Sequence, residues 1–188
     1  ATATNFLPAQ WKEAWRDDFD RADLGPDWTV LEGDWTLQDG VLVTTGGSIL
    51  ASRRFPGLQR LEFTASATLN PGFSDLSPIL LCGPEGRPSG YLLQCGGYNN
   101  TRNSIQRQSA VRAENRTFRI EPGRRYTFVA EYDGETVRLG VDGVTLLEYA
   151  DPQPLVGETH EQFGFFVHEG RVTIDQVRVL TSAAIEQN

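Results

Sequence analysis

Apolar residues recur at every second position through most of this chain, and short Asp-Gly turns separate the runs. "RLEFTASATL" sets Leu61, Phe63, Ala65 and Ala67 on one side, with Glu62, Thr64, Ser66 and Thr68 on the other. "GYLLQC" faces Tyr91, Leu93 and Cys95 one way and Leu92 and Gln94 the other, and "RYTFVAEY" repeats the pattern with Tyr126, Phe128, Ala130 and Tyr132. A period of two with one apolar face is the signature of antiparallel strands half-buried against a core. Asp39-Gly40, Asp133-Gly134 and Asp142-Gly143 lie between such runs and predict three hairpins. Further breaks fall at Asn70-Pro71-Gly72, Pro84 to Pro88, Pro122-Gly123 and Pro152 to Pro154. The spacing predicts an all-β chain of about a dozen short strands, folded as a two-sheet antiparallel jelly-roll sandwich. Helical candidates are confined to residues 8 to 16, where Trp11 and Trp15 stand four apart, and to a single turn near 154 to 160.

The 188 residues fit one domain with its own core. We place the sandwich at residues 15–181, an N-terminal linker or short helix at 1–14 and a tail at 182–188. A net charge of -8, with scattered arginines and Lys12 as the only lysine, argues against nucleic acid and against a polybasic membrane patch. No apolar run approaches the roughly 18 to 20 residues that span a bilayer. The small, polar opening "ATATNFLPAQ" suits a linker or a start left by processing, which is compatible with secretion. Cys82 and Cys95 flank a hairpin whose loop, if it is 84 to 89, sets Cys82 near Tyr91. Cys95 then lies about four residues out of register, too far for Cα atoms that must approach within about 7 Å, so two buried thiols are expected.

"WRDDFDRADLGPDWTVLEGDWTLQDGVLV", "VAEYDGETVRLGVDGVTLLEYAD" and "GFFVHEGRVTIDQVRVL" together resemble the concanavalin A-like lectin/glucanase superfamily, over roughly residues 15 to 180. Within it the chain is similar to small bacterial modules related to laminin-G-like domains and to the 3-keto-disaccharide hydrolases. Gly90, Tyr91, Leu93 and Gln94 match a hydrolase strand in which Leu92 stands where the family has an acid. His168 and Val172 match the spacing of a family histidine to its last strand, with Gln176-Val177 at the pair that follows. The resemblance implies a secreted or cell-surface bacterial module that recognises carbohydrate on its concave sheet. It also implies an alternative, hydrolysis or lysis of 3-keto-glycosides, with His168 as the catalytic candidate and Glu62, Glu131 or Glu169 in place of the acid missing at position 92. A structural or assembly module is the third reading.

"EYDGE" has the spacing of a glucanase Glu-x-Asp-x-Glu strand, whose carboxylates act about 5 to 5.5 Å apart on one face. Asp133-Gly134 reads instead as a chain reversal that sends Glu135 onto the next strand. Parity puts Phe163, Phe165 and Val167 in the core and leaves Gln162, Phe166 and His168 on the opposite face, the face that Gln94 shares. With Arg107 or Gln106 nearby, these would form a polar groove. Tyr98, Phe166 and Trp28 or Trp35 are the available aromatic platforms for a sugar ring. The amide-rich loop 96 to 108 adds Asn99 and Asn100 for hydroxyl recognition. Against this stands the ordinary use of Gly-Gly and Asn-Asn as turn formers, and of a histidine beside a turn as a backbone hydrogen-bond partner.

In the last strand Val172 and Ile174 share one parity and Val177 and Val179 the other, which predicts a bulge at Asp175-Gln176. "DDFDRAD" offers Asp17, Asp18, Asp20 and Asp23 at the other end of the chain. In jelly-roll carbohydrate-binding sandwiches these two ends meet at a structural calcium, so Asp18, Asp20 and Asp175 are its candidate ligands. Two histidines and two cysteines make a tetrahedral zinc site a poor prospect. "NNT" at 99 and "NRT" at 115 match glycosylation acceptors, which carry no weight in a bacterial host.

Overall fold

The computed structural model describes residues 10–68 and 75–182. Thirteen strands follow in chain order: β1 Lys12–Asp17, β2 Trp28–Gln38, β3 Val41–Ala51, β4 Leu58–Thr68, β5 Ser77–Cys82, β6 Tyr91–Gly96 and β7 Arg102–Arg107. Then come β8 Ala110–Asn115, β9 Arg125–Tyr132, β10 Thr136–Val141, β11 Val144–Ala150, β12 Gln162–Val167 and β13 Arg171–Ser182. The break expected at Asn70-Pro71-Gly72 and the tail from 183 onward lie outside the described residues.

Hydrogen bonding runs β11-β10-β9-β4-β13-β3-β12-β5-β6-β7-β8, with β1 on β13 and β2 on β3. The path divides into two layers because β3 and β13 each change partner along their length. β3 pairs with β13 through Leu42 to Thr44 and with β12 through Gly47 to Leu50. Gly46 and Gly47 mark the switch, at φ 154 and 130. A Cβ on Gly47 would lie 2.1 Å from the Glu32 carbonyl oxygen, so only glycine lets β2 and β3 close there. β13 pairs with β3 through Val172 to Ile174 and with β1 through Val177 to Thr181. Between these halves its register on β4 shifts from Asp175 to Arg178, with Gln176 at φ 53. The bulge expected at Asp175-Gln176 is present, and it turns Val177 and Val179 back into the core.

Parity decides the filling. Phe163, Phe165, Phe63, Phe128, Leu93 and Ile105 are all buried between the layers. Phe63 stacks on Phe128 and meets Phe165 edge-on, both at 5.0 Å between centroids. Each such side chain contributes about 1.5–3 kcal/mol through burial.

The hairpins at Asp39-Gly40 and Asp142-Gly143 close tightly, with Gln38 facing Val41 and Val141 facing Val144. Both turns have positive φ at both residues, as a type I′ turn requires. Asp133 ends β9 as expected: its Oδ1 accepts from the amides of Glu135 and Thr136. Glu131 and Glu135 are thus parted by a reversal, and no glucanase-type carboxylate row forms.

Three expectations are corrected. Residues 12 to 17 form strand β1, so the linker or helix expected at 1–14 and the helical candidate at 8–16 give way to a strand from residue 12, while 1–9 lie outside the described residues. A spacing of four also fits a strand, in which alternate residues share a face, and the open edge of β13 decides. Trp28 and Trp35 are core residues, not platforms, and their indole N–H groups donate to Asp17 and to the Glu32 carbonyl. In the β5–β6 hairpin Leu80, not Cys82, faces Tyr91. The tight approach of Gly90 to Cys82 and the turn at Arg87–Ser89 lengthen the loop. Both cysteines are free and buried, but Cys95 packs in the main core and Cys82 on the other face of its sheet. Burial pushes the Cys82 thiol up to about 12.

Candidate functional site

The layer β3-β12-β5-β6-β7-β8 buries one face and turns the other outward, and strand register arranges that outer face in two rows. One row crosses Leu50, Gly164, Ile79, Leu92 and Gln106. The next crosses Ser48, Phe166 and Ser77, and continues on the far strands through Gln94 and Ser104. Leu50, Ile79, Cys82 and Leu92 form a small apolar cluster with Phe166 packed against it. The loop 83–90 folds over this end, and Gly86 sits against the methyls of Leu31 and Leu50. Its shape is held by the Ser89 hydroxyl, which accepts from the Gly83 amide and donates to the Gly86 carbonyl.

The polar row stays open as a cleft of about 630 Å³. Asp75, Arg87, Gln94, Tyr98, Gln106 and His168 line it, with Gly97, Asn99, Phe166 and Glu169. Gln94 is set by neighbours on two sides. Its Oε1 accepts from the Ser104 hydroxyl at 3.0 Å and the Gln106 amide at 3.3 Å. Gly97 lies against the same amide, where a Cβ would come within 2.3 Å. The turn that follows is left-handed at Tyr98, Asn99 and Asn100, with φ of 52, 58 and 60. This conformation is one that asparagine tolerates better than most residues, and it carries the Tyr98 ring outward to 63 % exposure. Arg102 lies 4.9 Å from the centroid of that ring. Arg87 lies 4.2 Å from the Phe166 centroid, so Phe166 supports a guanidinium rather than offering a bare face.

Asp75 is the site residue that sequence reasoning missed. It is buried, accepts a hydrogen bond from the Ser77 hydroxyl, and its Oδ2 has no hydrogen-bond partner among the described residues. Burial raises its carboxyl to about 7, against the opposing pull of Ser77, the His168 backbone amide and Arg87. The signal was available: Asp75, Ser77 and Ile79 alternate with the core residues Leu76 and Leu80.

Of the residues expected in the groove, Gln94, Tyr98, Asn99, Phe166 and His168 meet there, together with Gln106. Arg107 does not. It points through the other face of β7, donating to Asp151 at 2.7 Å beside the Tyr91 hydroxyl, which donates to the same carboxylate at 2.6 Å. Burial would raise the Asp151 carboxyl, but Tyr91, the Gln153 amide and Arg107 together hold it below the usual range. Asn100 is also structural: its side chain accepts from the Ile120 amide and donates to the Ile120 carbonyl. Glu62 and Glu131 lie on the opposite layer, paired with Arg60, while Glu169 is at the cleft.

At the seam of the first and last strands, Asp17 faces Val177. Asp17 is the buried acid of "DDFDRAD", bonded to Arg21, the Trp28 indole and the Phe19 amide, whereas Asp18 and Asp20 are exposed. The Asp175 oxygens are engaged by Arg125 at 2.7 Å and by the Gln176 amide. Among the described residues no three His, Cys, Asp or Glu side chains gather as a metal site.

The fold is similar to that of solved carbohydrate-binding modules and β-glucanases. Among solved structures, the carbohydrate-binding module CBM66 from Bacillus subtilis superposes with a TM-score of 0.66 at 16 % identity, over 84 % of this chain and 97 % of that one. The β-glucanase of Bacillus licheniformis gives 0.67 at 13 % identity, over 89 % and 97 %. A Bacillus subtilis protein of unknown function with a galectin-like fold gives 0.72 at 12 % identity, over 94 % and 100 %. No protein-family profile and no curated protein matches the chain.

Proposed function

We propose that the protein is a carbohydrate-recognising module that holds its ligand in the cleft on the outer face of the β12-β5-β6-β7 layer. The carrying observation is the pairing of a positioned amide ladder, Gln94 with Ser104 and Gln106, with the outward ring of Tyr98 at the same cleft. Amides supply donors and acceptors for sugar hydroxyls, and an exposed ring supplies a face for the C–H side of the sugar. Superposition on a carbohydrate-binding module and on a glucanase of the same fold supports the reading. The same likeness supports a secreted or cell-surface setting. Among the described residues no helix is long and apolar enough to cross a membrane. Glycan-array and affinity-gel binding tests the proposal. Retention by at least one immobilised glycan, lost in Gln94→Ala, is expected, and no retention by any glycan refutes it.

Asp75 beside His168 favours a second reading, chemistry on 3-keto-glycosides. A general acid or base must come within hydrogen-bond reach of the substrate, and Asp75 is only 1 % exposed. Binding is therefore the leading reading. Turnover of a 3-keto-disaccharide that His168→Ala abolishes would reverse the order.

A further inference from the structure

We propose that the cleft takes an acidic sugar, with the carboxylate of a uronic acid seated on the Arg87 guanidinium. The inference rests on the carbohydrate-binding reading and narrows its ligand. The Arg87 side chain forms no hydrogen bond or ion pair among the described residues, whereas Arg60, Arg107, Arg138 and Arg178 are each spent on carboxylates. It is nonetheless held in place, on a short turn fixed by Ser89 and with its guanidinium 4.2 Å from the Phe166 centroid. A guanidinium supported on a ring keeps its N–H edge free, and that fork matches a planar carboxylate with two parallel hydrogen bonds. A neutral sugar offers the same fork only uncharged hydroxyls, whose hydrogen bonds lack the charge assistance of a carboxylate.

The opposing charges at the cleft are few. Asp75 meets Ser77 of its own segment, the His168 amide, Arg87 and Cys95 of β6. Burial raises both the Asp75 carboxyl, to about 7, and the Cys95 thiol, so both are neutral in mildly acidic solution. Glu169 is then the facing acid, with Arg87 on the other side of the balance. Above about 7 the ionised Asp75 adds a negative charge, so an anionic ligand should bind more weakly as pH rises through that value.

The test is calorimetric titration of the whole chain with galacturonate, mannuronate and hyaluronan oligosaccharides, each beside its methyl ester, near pH 5.5 and near pH 8.5. At least one acid form should bind about tenfold or more tightly than its ester, and more tightly at the lower pH. Arg87→Gln should reduce that acid-over-ester preference to about twofold or less, whatever it does to the absolute affinity for the ester. Equal affinity for acid and ester, or a preference that survives Arg87→Gln, overturns the inference. So does a sulfated or amino-sugar ligand that binds more tightly than every uronate. If only neutral oligosaccharides bind, the acidic-sugar inference fails and the carbohydrate-binding reading stands. If no glycan binds, both fail.

Discussion

The two outer faces of the sandwich are built from the same alternating strands and treat charge in opposite ways. On the β1-β13-β4-β9-β10-β11 face, oppositely charged residues sit side by side. Glu148 faces Arg138, Arg138 faces Glu131 and Glu131 faces Arg60 in register across four strands. The chain of ion pairs continues from Arg60 to Glu62 at 2.8 Å, Glu62 to Arg178 at 3.0 Å and Arg178 to Glu13 at 2.9 Å. Cross-strand pairs of this kind support the sheet and engage its charges with one another. On the cleft face, among the described residues, Asp75 Oδ2 and the Arg87 guanidinium have no hydrogen-bond partner, and Tyr98 stands out in solvent. A face that satisfies itself is scaffold, while one that leaves well-positioned polar groups unpaired is where recognition is to be sought.

Substitutions on the two faces should therefore separate binding from stability. Gln94→Ala removes the centre of the amide ladder and should weaken glycan binding about 10- to 100-fold, roughly 1.4–2.7 kcal/mol, with little change in melting temperature. Calorimetry on the retained glycan reads the first and differential scanning the second, and a stability loss without a binding loss would place Gln94 with the scaffold. Glu131→Ala should do the reverse. It strips the acid between Arg60 and Arg138 and should cost about 1–2 kcal/mol of stability in urea titration, with affinity held within about twofold.

Asp75→Asn sharpens the contrast through pH. The folded carboxyl, raised to about 7 from 3.8, keeps a proton that the unfolded chain has lost. Wild-type stability should thus fall as pH rises from about 4 to about 7 and level off above it. The Asn variant should lack that slope and be more stable than wild type near pH 8 by on the order of 1 kcal/mol. Identical pH profiles would show that the buried acid is not strained. Tyr98→Ala should cost binding about 1 kcal/mol, a fivefold loss, and no stability. The smallest effect belongs to the seam of β1 and β13. With Asp175 held by Arg125, excess calcium or EDTA should move the melting temperature by less than about 2 °C. A larger rise with calcium would support the metal expected there.

Much of this was legible in the chain. Gln94 and His168 were assigned to one outer face by counting alternate residues, and the Asp175-Gln176 bulge by a change of parity. Arg107 was misplaced because it neighbours Gln106 in sequence, and adjacent strand residues point to opposite faces. Asn100 and Asn99 look alike in a glycine-asparagine turn, but only the fold brings Ile120 to one of them. Asp75 stands beside Ser77 in an alternating stretch, a pattern that fits a solvated face as well as a buried one. Burial under neighbouring segments is a long-range fact that parity does not carry.

By itself, then, the sequence determined the strands, their inward faces, the hairpin turns and the all-β sandwich, because a period of two and Asp-Gly turn chemistry act over a few residues. Tertiary structure alone decided which outer face closes its charges and which leaves them open. Pairing an arginine with a carboxylate, or stranding it over a phenylalanine, depends on strands that are far apart in the chain and adjacent only in the fold.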